Sequence, residues 1–157
     1  MTEQQTENNR LRIFQLNMNK SETAHLDLIN RKLGEYWDIV CIQEPHITKL
    51  GHIRTPNRYR QVFSSARNDP TAGKVRSVIW VNERLDTNNW EVVNIPDTND
   101  ITAIRIRSGF NTLVIFNIYN PCDSNNTQNN LDDFFTRKRA EFYGSEDKHV
   151  IWCGDFN

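Results

Sequence analysis

Residues 38–45, Asp38-Ile39-Val40-Cys41-Ile42-Gln43-Glu44-Pro45, contain four consecutive apolar side chains followed at once by an amide and a carboxylate. A strand with one face in water would alternate apolar and polar residues, whereas an unbroken apolar run is typical of a strand buried on both faces. The stretch therefore predicts a central strand over residues 39–42, with other layers of structure on each side of it.

Strand patterns recur on both sides of this run, separated by clusters of Gly, Pro, Asp and Asn. We predict further strands at residues 11–16, 60–63, 75–81, 90–95, 101–106, 112–119 and 150–153. Ser21 can cap a helix over residues 22–35, and a second helix is expected over 129–142. The order β-α-β, several antiparallel strands, then β-α-β predicts an α/β sandwich with mixed sheets. It forms one domain over residues 10–157, after a disordered tail at 1–9.

The composition excludes several classes of protein. The chain has 157 residues, about the size of one domain, and 19 basic against 20 acidic side chains give a net charge of −1. This balance argues against a polybasic or supercharged disordered chain. The longest apolar stretch, residues 113–119, is far shorter than the roughly 20 residues of a membrane helix, so no membrane partner is expected. Three cysteines without C-x-x-C spacing indicate a reducing, intracellular compartment, and no targeting signal is visible.

Polar side chains follow four of the apolar runs, at the point where each predicted strand ends. They are Asn17, Glu44, Tyr119 and, after the last strand, Asp155 with Asn157. Taken alone, Asn17, Glu44 and Asp155 are also typical of turns, and Tyr119 of a packed side chain whose hydroxyl bonds to the backbone. The carboxyl ends of neighbouring strands, however, converge on one rim, where open α/β sheets bind ligands. Two carboxylates and two amides suit Mg²⁺, which prefers oxygen ligands. The sequence therefore predicts a magnesium site at this rim.

Four segments carry a resemblance to a known family: residues 13–19, 38–45, 117–121 and 152–157. In order and spacing they resemble the endonuclease/exonuclease/phosphatase superfamily. The N-x-N, Q-E-P and Y-N-P variants look most like the apurinic-endonuclease-like domain of LINE-type (non-LTR) retrotransposons. The resemblance implies a four-layer α/β sandwich, two mixed β-sheets face to face with helices outside. It also implies Mg²⁺-dependent phosphodiester hydrolysis (Mn²⁺ being an alternative ion), DNA as the partner, a downstream reverse transcriptase region, and a nuclear location.

The resemblance also assigns roles to the residues at the predicted rim. Glu44 corresponds to the metal-binding carboxylate, and Asn17 to its catalytic partner at the metal shell. Asp155 corresponds to the aspartate that orients or activates the attacking water. Asn157 corresponds to the amide that holds the scissile phosphate, and Tyr119 to the tyrosine whose hydroxyl contacts it.

One departure from the family pattern limits what the resemblance implies. The family's catalytic histidine lies in an S-D-H motif downstream of G-D-F-N, and residues 1–157 contain no such motif. We therefore expect the chain to correspond to the first two-thirds of the domain, C-terminally truncated, with its DNA-nicking activity impaired. The alternatives are an inactive fragment that at most binds Mg²⁺ or DNA, and a phosphatase or lipid phosphodiesterase of the same superfamily.

Basic residues concentrate between residues 45 and 82, where seven stand against the single acidic Asp69. A local excess of positive charge next to a metal carboxylate is where a phosphate backbone could bind. The alternative is a solvated loop and hairpin. The predicted nucleic-acid contacts are Arg54, Arg58, Arg60, Arg67, Lys74 and Arg76.

Overall fold

A computed structural model describes residues 10–122, 125–142 and 145–156. The tail predicted for residues 1–9 and the predicted site residue Asn157 lie outside these ranges. Within them the strands are β1 (Ile13–Asn17), β2 (Ile39–Gln43), β3 (Tyr59–Phe63), β4 (Ser77–Asn82), β5 (Trp90–Val93), β6 (Ile101–Ser108), β7 (Asn111–Tyr119) and β8 (Lys148–Asp155). The α-helices are α1 (Glu22–Asn30), α2 (Leu33–Tyr36) and α3 (Asn126–Phe142).

The strands form two four-stranded sheets, in the order β1-β2-β4-β3 and β5-β6-β7-β8. In each sheet one pair is parallel, β1 with β2 and β7 with β8, and the remaining pairs are antiparallel. Both sheets are therefore mixed, as predicted. The two parallel pairs matter for function because each of them brings two carboxyl strand ends to the same edge of its sheet.

The central strand β2 is buried on both faces, which explains its unbroken apolar sequence. Ile39 and Cys41 point into a cluster between the sheets, which includes Ile104 and Ile115 from β6 and β7. Val40 and Ile42 point the other way, into a cluster with the first helices. Burying each such aliphatic side chain contributes about 1.5–3 kcal/mol.

Helices cover the outer face of each sheet. Leu28 of α1 and Leu33 of α2 pack with Trp80 of β4 on the first sheet. Phe134 of α3 packs on Phe116 of β7 on the second sheet, with ring centroids 6.0 Å apart. The order helix, sheet, sheet, helix confirms the predicted four-layer sandwich.

The single helix predicted over residues 22–35 is wrong, because the chain forms two. Ser21 caps α1 as predicted, with its hydroxyl oxygen accepting a hydrogen bond from the Ala24 N–H at 3.2 Å. The helix stops at Asn30, and a short helix restarts at Leu33. Asn30 and Gly34 are both weak helix formers, and the break lets Leu33 reach the core. No helix in the described ranges is long and apolar enough to cross a membrane.

His25 lies on the buried face of α1, and its surroundings favour the neutral imidazole. Its side chain is almost fully buried, and Nε2 lies 2.8 Å from the Arg54 carbonyl oxygen. A carbonyl can only accept, so Nε2 carries the proton, while Nδ1 has no partner. Burial lowers the pKa of His25 below its usual 6.5, which outweighs the hydrogen bond to Arg54.

Acidification is expected to destabilise the fold through His25. Because the pKa is lower in the folded chain, the unfolded chain binds more protons below pH 6.5, and the free energy of unfolding falls as the pH drops below that value. Urea unfolding at about pH 7 and about pH 5 measures the change, and His25→Gln is expected to reduce it. The exposed His52→Gln is the control and should keep the wild-type dependence. Equal pH dependence in wild type and His25→Gln would contradict the assignment.

Candidate active site

Four predicted site residues that the structure describes converge at one rim of the sandwich: Asn17, Glu44, Tyr119 and Asp155. In the first sheet, Asn17 at the end of β1 pairs with Gln43 at the end of β2, and Glu44 follows directly. In the second sheet, Tyr119 at the end of β7 pairs with Asp155 at the end of β8. Since both pairs are parallel, each places its two carboxyl ends side by side.

A direct hydrogen bond joins the two sheets at this rim. The Asn17 Nδ2 donates to Asp155 Oδ2 at 2.7 Å, across 138 positions of sequence. The Asn17 Oδ1 accepts from the Asn19 backbone N–H at 2.7 Å, so both ends of the amide are held. Asn17 therefore orients the Asp155 carboxylate, whichever further role it has.

Glu44 is nearly buried, and two hydrogen bonds of its main chain fix its position. Its N–H donates to the Arg76 carbonyl oxygen at 2.8 Å, and its carbonyl oxygen accepts from the Lys20 N–H at 2.9 Å. Its φ of +46° lies in the left-handed region, which non-glycine residues rarely adopt. The carboxylate Oε1 lies 3.1 Å from Lys20 Nζ. Buried carboxylates need such a partner, because an unpaired buried charge is costly.

Tyr119 lies close enough to both Glu44 and Asp155 for their charges to act on its hydroxyl. Burial raises the pKa of its hydroxyl, and the charge of Glu44 together with a hydrogen bond to that carboxylate raises it further. Asp155 acts in the same direction, while the nearby Arg76 guanidinium opposes it. The hydroxyl therefore keeps its proton at neutral pH and can act as a hydrogen-bond donor. The Arg76 guanidinium lies 4.9 Å from the Tyr119 ring centroid and pairs with Asp100 at 2.6 and 2.8 Å.

Comparison with known proteins identifies the family to which the chain belongs. The model of the Endonuclease/Exonuclease/phosphatase family matches residues 14–157. The chain belongs to this family. Among solved structures, the endonuclease domain of TRAS1, a telomere-specific non-LTR retrotransposon, aligns with a TM-score of 0.62 at 23% sequence identity. That alignment covers 93% of this chain and 58% of TRAS1's.

A second family structure shows the same fold at lower identity. An endonuclease/exonuclease/phosphatase family protein from Leptotrichia buccalis aligns with a TM-score of 0.53 at 14% identity, covering 94% of this chain and 67% of its own. No curated protein matches the chain. The predicted family and fold are confirmed, and the chain spans 58% of the length of the TRAS1 structure.

The donor set at the rim suits the hard divalent cation expected for the family. In the described part of the chain, no three His, Cys, Asp or Glu side chains group closely enough to hold a metal by themselves. Mg²⁺ does not need such a cage, because one or two carboxylates, water and substrate phosphate complete its shell. Glu44 could supply the direct carboxylate. The Asn17 Oδ1 accepts one hydrogen bond and keeps a second lone pair, so it could supply an amide oxygen.

The structure places two of the predicted basic contacts beside Glu44 and one of them at the other end of the first sheet. Lys74 and Arg76 line an open cleft of about 530 Å³ together with Glu44. Arg58 lies at the opposite end of the first sheet, because it precedes Tyr59, which pairs with the last residue of β4. Of the remaining three, Arg54 lies 3.6 Å from Glu22, the guanidinium of Arg67 lies 3.5 Å over the Phe63 ring, and Arg60 is exposed on β3.

A buried polar network lies beneath the rim and was not predicted from the sequence. Asn117 of β7 donates to the carbonyl oxygens of Ile42 and Val78, each at 2.8 Å, and accepts from Gln43 Nε2. The Ser77 hydroxyl donates to the Asn117 carbonyl oxygen at 2.8 Å. These bonds tie the second sheet to the first one layer below the carboxylates. The only signal in the sequence is a polar side chain inside an otherwise apolar strand, at residue 117.

Lys20 is a second residue that the sequence reasoning missed. It lies three residues after Asn17, in a polar turn that carries no pattern of its own. Its contact with Glu44 depends on the folded chain, since 24 positions separate the two. Both residues line the cleft that Lys74 and Arg76 also line.

Proposed function

We propose that this rim hydrolyses phosphodiester bonds in DNA with a divalent cation, Mg²⁺ in the first place, as the nicking site of a LINE-type retrotransposon endonuclease. The observation that carries the proposal is the Asn17–Asp155 hydrogen bond of 2.7 Å, because it joins the two halves of the site across the sheets. The charges of Glu44 and Asp155 both act on the Tyr119 hydroxyl, so a phosphate group bound at that hydroxyl would lie near both carboxylates.

Each residue has a role that its surroundings favour. Asp155, held by Asn17, would orient the attacking water and accept its proton. Tyr119, which keeps its hydroxyl proton, would donate a hydrogen bond to a phosphate oxygen. Glu44 would hold the divalent cation, with Asn17 beside it and Asn157 as the further phosphate contact that the family resemblance assigns. When bound, that cation offsets the negative charge on the phosphate oxygens.

Charge favours a nucleic acid as the substrate. Lys20, Lys74 and Arg76 border the cleft beside Glu44, and rows of cations bind a phosphate backbone better than a single phosphate group. The fold shared with the TRAS1 endonuclease domain supports a retrotransposon, from which we propose a reverse transcriptase region elsewhere in the protein and action in the nucleus. For residues 1–157 tested by themselves we propose an impaired rate, because they contain no S-D-H motif.

Plasmid nicking tests the proposed function. Supercoiled plasmid is incubated with excess protein, and we expect slow conversion to open circles that needs Mg²⁺ and stops on chelation. Tyr119→Phe is expected to slow the reaction about tenfold, because it removes one hydrogen bond to a charged group. The nicks should carry 3′-hydroxyl ends that a DNA polymerase extends. Nicking that continues after chelation would contradict the proposal.

The second candidate is a module that binds metal and DNA without turnover. It is favoured by two of the described histidines, because His25 is hydrogen-bonded to the Arg54 carbonyl oxygen and His149 lies on β8 by the cavity at the far end of the sheets. Among the described histidines, His46 is the one that lines the cleft beside Glu44. No nicking at all, with Mn²⁺ and DNA binding intact, would decide for this candidate.

A further inference from the structure

The turn between β1 and α1 holds a lysine over the active-site carboxylate. Asn19 and Lys20 both have positive φ, +48° and +60°, although neither is glycine. For a residue with a side chain this left-handed conformation is unfavourable, so contacts elsewhere must hold it. The turn is fixed by the Lys20 N–H bond to the Glu44 carbonyl oxygen and by the Ser21 N–H bond to the Met18 carbonyl oxygen, both 2.9 Å. The backbone thus keeps Lys20 next to Glu44.

The side chains of this pair differ sharply in exposure. The Lys20 Nζ lies 3.1 Å from Glu44 Oε1, but the lysine side chain is 70% exposed and the glutamate 8%. The carboxylate is therefore fixed, whereas the ammonium is free to turn toward solvent at little cost. Solvent screens the ammonium side of such a pair, so the contact is weaker than an ion pair with both members buried. A divalent cation at the same carboxylate carries twice the charge and would repel the ammonium.

A phosphate backbone bound in the cleft would give the displaced Lys20 ammonium a second anionic partner. Lys20 lines it together with Lys74 and Arg76, so a phosphate backbone lying there would meet three cations. The Arg76 guanidinium is already engaged by both carboxylate oxygens of Asp100. Lys20 differs from Arg76 because its partner is Glu44, the carboxylate that would bind the metal.

We propose that Lys20 is a positioning residue that exchanges between two anions. Its ammonium pairs with Glu44 in the metal-free protein, and with a DNA phosphate once a divalent cation binds Glu44. The proposal rests on the proposed function and goes beyond it, because it couples metal binding to DNA binding. Each ligand then strengthens the other, since linkage is reciprocal.

Lys20→Met tests the exchange through two equilibrium measurements. Without DNA, the variant is expected to bind Mn²⁺ about two- to fivefold more tightly, because the competing ammonium is gone. With a short DNA duplex, wild type should bind DNA more tightly in Mn²⁺ than in chelator, and the variant should lose most of this gain. In Mn²⁺ the slope of log affinity against log salt should fall by about one.

Lys32→Met is the matched control, because Lys32 is also an exposed lysine, paired only at 3.9 Å with Glu35. It should leave both affinities unchanged, and Lys20→Arg should restore the metal-dependent gain in DNA binding. Unchanged Mn²⁺ affinity in Lys20→Met, or an equal loss of DNA affinity with and without metal, would overturn the exchange. If Glu44→Gln weakens Mn²⁺ binding in that case, the proposed metal site stands and only the exchange fails. If Glu44→Gln has no effect, the proposed function fails with it.

Discussion

Glu44→Gln is expected to weaken Mn²⁺ binding by at least about 100-fold and to reduce plasmid nicking to background. Glutamine keeps the shape of the side chain but removes the charge that holds the cation. The fold should survive, because Glu44 anchors its loop through its backbone bonds to Arg76 and Lys20, which the substitution leaves in place. Calorimetric titration with Mn²⁺ measures the affinity, and thermal unfolding checks the fold.

Glu83→Gln is the control for this experiment. Glu83 is exposed and follows β4 at the end of the sheet away from Glu44, because β2 and β4 run antiparallel. The same change of charge there should leave Mn²⁺ affinity and nicking at wild-type values. If the two variants lose affinity equally, Mn²⁺ responds to the overall charge of the protein, and the assignment of Glu44 as the metal carboxylate is wrong.

The sequence predicts the parts of this fold that local rules determine. β2 is recognisable because both its faces are buried, so all of Ile39 to Ile42 must be apolar. Ser21 is recognisable as a cap because the first turn of a helix needs an acceptor for its free N–H groups. The rim is predictable for a similar reason. Parallel neighbouring strands place their carboxyl ends together, so polar residues that follow apolar runs collect at one edge.

The sequence does not predict which polar groups touch. The Asn17–Asp155 bond and the Asn117 network join different sheets, and nothing near either residue encodes the distance between the sheets. Basic residues are a further case. Arg58 and Lys74 both belong to the basic stretch, yet the antiparallel pairing of β3 with β4 sends Arg58 to the far end of the sheet. Composition gives the net charge of a segment, but it does not show at which end of the sheet the charged residues lie.

Gly154 shows how a residue without a side chain positions the site. It pairs with Ile118 in the parallel ladder of β7 and β8, directly before Asp155. A Cβ at this position would lie 2.1 Å from the Ile118 carbonyl oxygen and 2.9 Å from its carbonyl carbon. These are backbone atoms, so no side chain can move aside to make room. The glycine is needed because β8 approaches β7 too closely for any other residue.

Gly154→Ala is therefore expected to lower the free energy of unfolding by at least about 3 kcal/mol, beyond the usual range for an added methyl group. This is a large share of the stability of a small domain, about 5–15 kcal/mol. Because the end of β8 must shift, Asp155 should also move away from Asn17, and nicking should fall along with stability. Urea unfolding measures the first effect. Comparison of Mn²⁺-dependent nicking, at a temperature where both proteins are folded, measures the second.

Gly109→Ala separates the steric contact from the loss of a glycine. Gly109 has a φ of +60°, and no atom lies within 4 Å of a Cβ added there. Alanine at this position should therefore lower the free energy of unfolding only by the cost of a left-handed backbone, about 1–2 kcal/mol. Nicking should be unchanged in this variant, because Gly109 lies in the β6–β7 turn at the end of β7 opposite Tyr119. Equal losses of stability at the two positions would mean that β8 can draw back from β7 at no cost. In that case the position of Asp155 depends on its bond to Asn17 and not on the close packing at Gly154.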